Sequence, residues 1–430
     1  MNGDAMTGDA TVNTPPPLVP SRRRPRLRII VLGNLVVLGG LLVCSELVAR
    51  FVVWAWEIPT TFESKPFQGF GQTDPVVWWK LRPNLDVRMG GVGLRTNPLG
   101  VRDERRELPA GSIKVFCLGD SSTFGWGVDS ARMYTAVAEQ GLESMSGKGF
   151  AVVSAGVPGY TSFQCLQQFR EQIARLRPDW VVVMASNNEC RARTLGDRER
   201  GRLLARKQVL HRWLGFSRLW LLISRAPEAL NRSWDLDPKP GRVADTPDEY
   251  AQNIRDLVRE ARRANGRVLV MNMPLRLRKA PFWKQFDRPT PEVADLLRQA
   301  EDAQKADESV EKQVARLEQA ARLQPDQFEA HWRLAYLELR RGRTAAADRE
   351  FALAREGDLH PEASKPGYNS VLAAVCRDEN VPFIDLDRLF HESGLDEGDL
   401  FLDHCHPTPA GHELIGNELA RRLNALQQGR

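Results

Sequence analysis

Two short polar clusters, far apart in the chain, contain residue types that together could form a hydrolytic site. Ser121 lies in KVFCLGDSSTFGWG, residues 114–127, directly after an apolar run that ends at Gly119. Gly, Asp and Ser are also common turn residues, so this stretch alone fits an ordinary strand end. A serine hydroxyl is a weak nucleophile, and it needs an adjacent base that a third group orients.

The second cluster supplies a base and its orienting group. Asp403 and His406 stand three residues apart in FLDHCHPTPAGHEL, residues 401–414, on a loop next to prolines. This spacing lets the carboxylate turn back to the imidazole Nδ1 and leaves Nε2 for a serine. His404 is adjacent to Asp403, so its side chain is expected to diverge, and His412 follows in a helical pattern. Ser121, His406 and Asp403 are therefore the candidate catalytic residues.

Nucleophilic attack by a serine on a carbonyl also requires donors for the oxyanion that forms. The stretch AGVPGYTS, residues 155–162, offers backbone N–H groups on a glycine turn. The stretch ASNNEC, residues 185–190, places an amide side chain after the apolar run WVVVM. Each stretch alone is a loop, but together they predict donors beside the serine.

The elements that must position these groups alternate between apolar strands and amphipathic helices. Helical patterns cover residues 162–176 and 249–265, and strand-like runs cover residues 113–119, 150–156, 180–186, 266–274 and 381–386. Continuous apolar strands separated by helices are typical of a parallel sheet covered on both faces. The sequence thus predicts an α/β fold with a doubly wound parallel sheet, whose sites lie at the carboxyl ends of the strands.

The four polar stretches occur in the order LGDSSTFGWG, AGVPGYTS, SNNE and DHCHPT, and this set resembles the four motif blocks of the SGNH (GDSL-type) hydrolase family. The preceding LRTNPLGVRDERRELP is similar to the β-rich apron of some bacterial members. The resemblance covers residues 90–195, 265–285 and 380–425. It implies a flavodoxin-like three-layer domain with ester hydrolase or O-acyltransferase activity.

The resemblance also implies roles for individual residues. Ser121 would be the nucleophile, His406 the base and Asp403 its orienting group, while Ser121 N–H, Gly159 N–H and Asn188 would form the oxyanion hole. The third block of the family is usually Gly-x-Asn-Asp, and Ser186-Asn187-Asn188-Glu189 fits it best. A shift of one residue would make Asn187 the donor, and this alternative stays open at the sequence level.

The N-terminal region predicts a membrane anchor. An apolar run, Ile29 to Val48, is long enough to cross a bilayer, although Ser45 and Glu46 interrupt it near one end. Five arginines between residues 22 and 28 precede it, so the positive-inside rule leaves the N-terminus in the cytoplasm and the rest outside. The alternatives are a cleaved signal peptide, a lipoprotein signal at Cys44 and a buried core helix. The length of the run and the lack of a small-x-small cleavage site favour an uncleaved anchor.

Two segments interrupt the α/β pattern. A basic stretch with tryptophans, residues 194–232, could be a lid, a helix on the membrane surface or an extra packed helix. Residues 291–357 match the packing positions of a tetratricopeptide (TPR) repeat, namely Leu334, Ala335, Gly342, Ala347, Phe351 and Ala354. This TPR-like insertion would either bind a protein partner or serve as structural padding.

These observations divide the chain into six predicted parts. They are a disordered cytoplasmic tail (1–28), a transmembrane signal-anchor (29–50), a β-rich apron (51–110), the first part of the SGNH domain (111–288), the helical insertion (289–358) and the second part of the domain (359–430).

The charge distribution, the cysteine spacing and the motifs reduce the number of possible functions. The net charge is +5 and the basic residues are dispersed among acidic ones, which disfavours a nucleic-acid partner. The six cysteines show no Cys-x-x-Cys spacing, and neither a Gly-x-Gly-x-x-Gly nor a Walker motif occurs, so no metal or cofactor is predicted. The expected function is an extracytoplasmic, membrane-anchored serine esterase or acyltransferase acting on an acyl ester, with a carbohydrate or cell-surface polymer as substrate. The alternative is a catalytically silent, TPR-containing scaffold protein.

Overall fold

The computed structural model describes residues 27–56, 69–74, 76–193, 195–223, 243–279, 289–358 and 361–429. They fall into two compact units. The first contains the N-terminal helix and residues 216–223, and the second contains the other described residues. The predicted disordered tail lies outside the described part, except for its last two residues, which already belong to the first helix.

The first unit is built around a long apolar helix, α1, Leu27–Ala55. Its segment Ile29–Ala55 has 27 residues and a mean hydropathy of 2.1, so its length and composition suit a membrane span. The predicted span, residues 29–50, lies within this helix. The unit also contains the helical residues 218–223.

The described part of the second unit begins with two antiparallel hairpins, which lie within residues 51–110, and the assignment of these residues as an apron stays a prediction. Strands β1, Gly71–Asp74, and β2, Trp78–Leu81, form the first, and β3, Asp86–Met89, and β4, Val92–Arg95, form the second. Leu81 and Leu94 from these hairpins are buried in the hydrophobic core of the main sheet.

The main sheet has five parallel strands and confirms the predicted fold class. Their order is β6-β5-β7-β8-β9, with β5 at Ile113–Gly119, β6 at Phe150–Ser154, β7 at Trp180–Met184, β8 at Arg267–Met271 and β9 at Phe383–Ile384. Strand β6 lies on one side of β5, and β7, β8 and β9 follow on the other side. This reversal of the strand order creates a topological switch point at the carboxyl end of β5. The observed β6 and β7 stop two residues earlier than predicted, because residues 155–156 and 185–186 turn into loops. Strand β8 likewise ends at Met271 and not at residue 274, and β9 covers only Phe383–Ile384 of the predicted residues 381–386.

Both faces of this sheet are covered. Phe116 and Leu118 of β5 pack into one core, whereas Val115 and Cys117 pack into the other. Side chains alternate between the faces of a strand, so a strand covered on both sides is apolar throughout. The covering helices are α3, Tyr134–Ser146, α4, Ser162–Glu171, α7, Pro247–Arg263, α12, Pro366–Asp378, α13, Leu386–Glu392, and α15, Pro409–Gln427.

The remaining helices lie in the connections. Short helices α2, Ser121–Phe124, and α14, Glu397–Leu400, flank the site described below, and α5 spans Asp197–Leu214. The helical residues 218–223 of the first unit are α6. The predicted basic stretch 194–232 therefore contains α5 and α6, while residues 194 and 224–232 lie outside the described part.

Four helices precede α12 in the described part of the crossover between β8 and β9, where the insertion was predicted. They are α8, Pro291–Lys305, α9, Val310–Leu323, α10, Phe328–Arg340, and α11, Thr344–Gly357. Each packs against the next along the chain. Leu334, Ala335, Ala347, Phe351 and Ala354, which carried the TPR prediction, are buried between them. Assignment to the TPR class stays a prediction.

Candidate active site

Ser121 lies at the carboxyl end of β5 as the first residue of α2. The turn that places it requires glycine at position 119, because a Cβ there would collide with the carbonyl oxygen of Met184. Asp120 caps the short helix, since its Oδ1 accepts a hydrogen bond from the N–H of Ser122 at 2.8 Å. The local chemistry of Gly-Asp-Ser thus ends the strand and starts a helix at the serine.

The loop after α14 brings the second cluster to this serine. The Nε2 atom of His406 lies 2.7 Å from Oγ of Ser121, and its Nδ1 atom lies 2.6 Å from Oδ2 of Asp403. The N–H groups of Cys405 and His406 both donate to Oδ1 of Asp403 at 2.9 Å. The carboxylate is therefore oriented by the backbone of its own loop, and the three side chains form a continuous hydrogen-bonded series.

The charges of the site follow from these contacts. Burial alone raises the pKa of Asp403, but the hydrogen bonds from the His406 ring and from two backbone N–H groups outweigh it, so the pKa of Asp403 lies well below its usual value. Asp403 is therefore ionised at neutral pH and can stabilise an imidazolium at His406.

The other two histidines of this region have different surroundings. Burial lowers the pKa of His404, whose Nδ1 lies 3.8 Å from Asp403 Oδ1. Burial also lowers the pKa of His412 to about 3, and its Nδ1 accepts a hydrogen bond from the N–H of Tyr134 at 3.2 Å. His412 is thus a neutral core residue of α15, and His406 is the histidine that contacts the serine.

The glycine turn of the second block is held against the serine strand. The N–H of Val157 donates to the carbonyl of Gly119 at 3.0 Å. Gly156 packs so closely on α2 that a Cβ would collide with the N–H of Phe124, and Gly159 has a φ of 82°, which favours glycine. The apron supports this turn, because Trp79 Nε1 donates to the carbonyl of Pro158 at 3.0 Å.

The two asparagines of the third block have different partners. Asn187 Nδ2 donates to Ser122 Oγ at 3.2 Å, and its Oδ1 accepts from the N–H of Ser364 at 3.2 Å. Asn188 Nδ2 donates to the carbonyl of Tyr160, the residue after Gly159, at 2.9 Å. A primary amide carries two hydrogens on its nitrogen, so Asn188 can hold the glycine turn and still donate to an oxyanion. Each Nδ2 makes one of these hydrogen bonds and carries two hydrogens, so the assignment of Asn188 as the oxyanion donor stays a prediction from the family pattern.

Replacing Asn188 with alanine is expected to lower kcat by about 10²- to 10³-fold, which is the usual cost of one lost oxyanion donor. Asn187→Ala should lower kcat much less, because both the nitrogen and the oxygen of that amide bind protein groups, Ser122 and Ser364. Steady-state hydrolysis of an aryl ester measures both effects. If Asn187→Ala has the larger effect on kcat, the register of the third block is wrong by one residue.

Glu189 connects the third block to the second, a role that the sequence did not indicate. Its Oε1 accepts from the N–H of Ser162, at the start of α4, at 2.6 Å, and its Oε2 accepts from the N–H of Asn188 at 3.2 Å. Glu189 is fully buried, and burial raises its pKa to about 8. The carboxyl group thus ties the amide donor to the helix that follows the glycine turn.

Arg102 is a second residue that the sequence reasoning missed. It belongs to the apron, in the segment between β4 and β5, it is 5% exposed, and burial lowers its pKa to about 10. Its Nη1 donates to the carbonyls of Phe124 and Gly125 at 2.8 and 2.7 Å, and its Nη2 donates to that of Val128 at 2.7 Å. The guanidinium therefore holds the turn after α2.

The turn that Arg102 holds carries an aromatic side chain to the site. The indole ring of Trp126 lies 5.8 Å from the ring of His406, with 24° between the ring planes. The sequence pattern places Arg102 only within the apron. A buried arginine that binds backbone carbonyls has no characteristic spacing in a sequence.

We expect Arg102→Ala to lower the free energy of unfolding by about 3 kcal/mol or more, because several buried carbonyls lose a charged donor. Urea denaturation followed by far-UV circular dichroism measures this loss. Arg95→Ala is the matched control. Arg95 forms exposed ion pairs with Asp86 and Glu104, so its loss should cost about 1 kcal/mol or less. Equal losses for the two variants would contradict the role assigned to Arg102.

The helical insertion reaches the catalytic loop through the segment after β8. Arg276 Nη1 donates to the carbonyl of Asp403 at 2.6 Å, and Arg355, in the last turn of α11, donates to the carbonyl of Arg276 at 2.9 Å. Ser364, which follows the insertion in the chain, has its Oγ 2.7 Å from Oγ of Ser186, the residue at the family's usual glycine position. The C-terminal end of the insertion and the segment after it therefore contact the segments that border the site.

One group of side chains could in principle hold a metal ion. Among the described residues, Asp403, His404 and Cys405 place one ligand atom each within 4.8 Å of one another. The oxygens of Asp403 already accept three hydrogen bonds, and burial raises the pKa of Cys405 well above its usual value. A thiol that stays protonated is a poor ligand, so these residues fit hydrogen bonding better than metal binding.

Comparison with known proteins identifies the family of the chain. The model of the GDSL-like Lipase/Acylhydrolase family matches residues 117–364, which is more than half of the chain. The matched region contains Ser121, Gly159 and Asn188 and ends before the loop that carries Asp403 and His406. A comparison with curated proteins finds no match.

Solved structures similar to the chain include two enzymes. One is Axe2, an acetylxylan esterase from Geobacillus stearothermophilus, at 15% identity and a TM-score of 0.37, covering 74% of this chain and 95% of that one. The other is LAE5, an alpha/beta hydrolase enzyme from the metagenome of Lake Arreo, at 15% identity and a TM-score of 0.38, covering 74% of this chain and 98% of that one.

The family match defines the class of protein. The chain belongs to the GDSL-like lipase/acylhydrolase family, and it is an ester hydrolase of the SGNH type. The resemblance found from the four motif blocks is thereby confirmed, together with the fold class.

Proposed function

We propose that this protein is a membrane-anchored, extracytoplasmic serine esterase or acyltransferase that cleaves or transfers an acyl group on a carbohydrate or cell-surface polymer. The observation that carries the catalytic part is the short hydrogen-bonded series from Ser121 Oγ through His406 to Asp403. A nucleophile, a base and an orienting group within hydrogen-bonding distance are the geometry that nucleophilic catalysis needs.

In the proposed reaction, Ser121 Oγ attacks the ester carbonyl while His406 Nε2 takes its proton. Asp403 stabilises the imidazolium through Nδ1 without taking the proton itself. The oxyanion binds the N–H groups of Ser121 and Gly159 and the side-chain amide of Asn188. His406 then protonates the leaving alcohol. A second acceptor, either water or a sugar hydroxyl, releases the acyl group from the serine.

Labelling with a fluorophosphonate probe tests the catalytic part. An activated serine forms a covalent adduct, and a silent scaffold protein does not. We expect one equivalent of probe per chain, on Ser121, as located by peptide mass spectrometry. Absence of labelling in a folded, full-length protein would favour the scaffold alternative.

A comparison of acceptors tests whether the enzyme hydrolyses or transfers. The full chain is given an acetylated aryl ester with and without soluble oligosaccharides. Acyl oligosaccharide as the main product identifies a transferase, and free acid that is insensitive to oligosaccharide identifies a hydrolase. A series of aryl esters from acetyl to octanoyl then gives the acyl length.

The proposed location depends on α1 and on the arginines before it. A reporter enzyme that is active only outside the cytoplasm, fused after Gly127, should be active, and the full chain should stay with membranes after a high-salt wash. A fusion active only in the cytoplasm would reverse the proposed orientation. Release of the chain by salt would contradict the anchor.

A further inference from the structure

Glu46 is an ionisable residue in the most apolar helix of the chain. At a rise of about 1.5 Å per residue, it lies about 25 Å along α1 from Ile29, close to one boundary of a hydrocarbon core about 30 Å thick. Placing a carboxyl group in such a helix costs free energy unless other groups bind it, and the groups that bind it indicate its role.

The partners of Glu46 come from a distant part of the sequence. Ser217 Oγ donates to Glu46 Oε2 at 2.6 Å, and the N–H groups of Arg218 and Leu219 donate to its two carboxylate oxygens at 2.9 and 3.0 Å. Arg50, one turn further along α1, donates to Glu46 Oε1 at 2.9 Å. The carboxylate therefore satisfies the first backbone N–H groups of α6, across a separation of 171 to 173 residues.

The same stripe of α1 is covered beyond Glu46. Ala49 and Val53, at spacings of three and four residues, share its face and are buried, whereas the large side chains on the other faces of α1 are exposed. Burial of one stripe at the end of α1 indicates that the helix packs against another segment there.

Both segments of this unit expose large apolar side chains. Trp54 and Trp56 at the end of α1 are 74% and 69% exposed, and Phe216 and Ile223 around α6 are 75% and 55% exposed. Tryptophans are enriched where a membrane span meets the headgroups, and apolar side chains beside them favour burial at the same level.

We infer that α1 is retained in the mature protein and that residues 216–223 are a second membrane-contacting segment, which Glu46 holds at the outer end of the anchor. The exposed apolar side chains of residues 216–223 contact the lipid at the membrane interface, because they continue the apolar surface of α1. A signal peptide that is removed has no need to bind a segment of the mature chain. The inference rests on the proposed anchorage and is independent of the ester chemistry.

The test places a fluorescent label on the segment. Phe216→Cys is combined with Cys44→Ala, because Cys44 is the exposed cysteine and the other five are buried. The full chain is labelled with an environment-sensitive NBD thiol reagent and reconstituted in phosphatidylcholine vesicles, with or without nitroxide-labelled (doxyl) acyl chains. We expect the label to lose emission in the nitroxide-containing vesicles. A label on the exposed Ser144, introduced as Ser144→Cys, should keep its emission.

Variants of α1 test the role of Glu46. Glu46→Leu should weaken the quenching at position 216, because the hydrogen bonds that hold α6 are lost. Ser45→Leu, a neighbouring polar-to-apolar change on the same helix, should leave the quenching unchanged. Equal quenching in the parent and in Glu46→Leu would overturn the assigned role of Glu46.

Two further outcomes are distinguishable. If intact-mass analysis finds an intact chain in the membrane but the label at position 216 is not quenched, the inference fails and the anchor stands; a label that is shielded from water yet unquenched would indicate a protein partner instead. If the mature chain lacks α1, both the inference and the proposed anchorage fail. In either case, ester hydrolysis by the same preparation reports separately on the catalytic proposal.

Discussion

Replacing Ser121 with alanine will abolish ester turnover, with a fall in kcat on the order of 10⁶-fold, comparable to the loss of a serine nucleophile in other hydrolases. The hydroxyl group is the proposed attacking atom, and alanine fits the first position of α2 without new contacts. The circular dichroism spectrum and the thermal midpoint should therefore remain those of the parent. Initial rates on an aryl acetate, together with loss of fluorophosphonate labelling, measure the effect.

Ser130→Ala provides the control for this substitution. Ser130 lies in a short 3₁₀ turn, Ser130–Arg132, which follows β5 in the chain as Ser121 does. It takes no part in the hydrogen-bonded series of Ser121, His406 and Asp403. Its replacement should leave kcat unchanged. If Ser121→Ala keeps activity within a few-fold of the parent while Ser130→Ala loses it, Ser121 is not the nucleophile.

The second large effect is expected at the histidine. His406→Ala should reduce kcat about as much as Ser121→Ala, because the two residues act as a unit and either loss leaves the serine without activation. Asp403→Ala should be less severe, on the order of 10⁴-fold, since the imidazole and the oxyanion donors remain. Single-turnover kinetics on an activated ester distinguish a slow acylation step from slow release of the acyl group.

His404 and His391 are the controls at this site. His404→Ala should stay within a few-fold of the parent, because His406 is the ring that contacts Ser121. His391 is exposed on α13, so His391→Ala should have no effect on turnover. An essential His404 combined with a dispensable His406 would contradict the proposed base and weaken the family-based assignment of the loop.

Much of the main domain could be predicted from local patterns. The five apolar runs predicted five parallel strands because a strand covered on both faces must be apolar throughout. The Gly-Asp-Ser turn after β5 and the Asp-x-x-His loop were visible because turn formation and the bending of a carboxylate towards a nearby imidazole are local events. The ends of β6 and β7 were predicted two residues too long, since apolar residues continue into the loops that form the site.

The sequence leaves open whether Asn187 or Asn188 is the oxyanion donor. Both are amides in adjacent positions, and they differ only in partners that lie more than 25 residues away in the chain, namely Ser122 and Ser364 for one and Tyr160 for the other. Each amide nitrogen makes one hydrogen bond to the protein, so the turnover of the two alanine variants decides which of them donates to the oxyanion.

The sequence by itself determined the alternation of strands and helices, the catalytic residue types and the apolar N-terminal run, because these depend on neighbours within a few residues. The tertiary structure decided which groups meet. It brought His406 to Ser121 across 285 residues, placed the buried guanidinium of Arg102 on the turn after α2, and gave Glu46 its donors from α6. A carbonyl-binding arginine or a carboxylate that caps a distant helix has no periodicity and no spacing, since its partners are backbone groups that every residue carries.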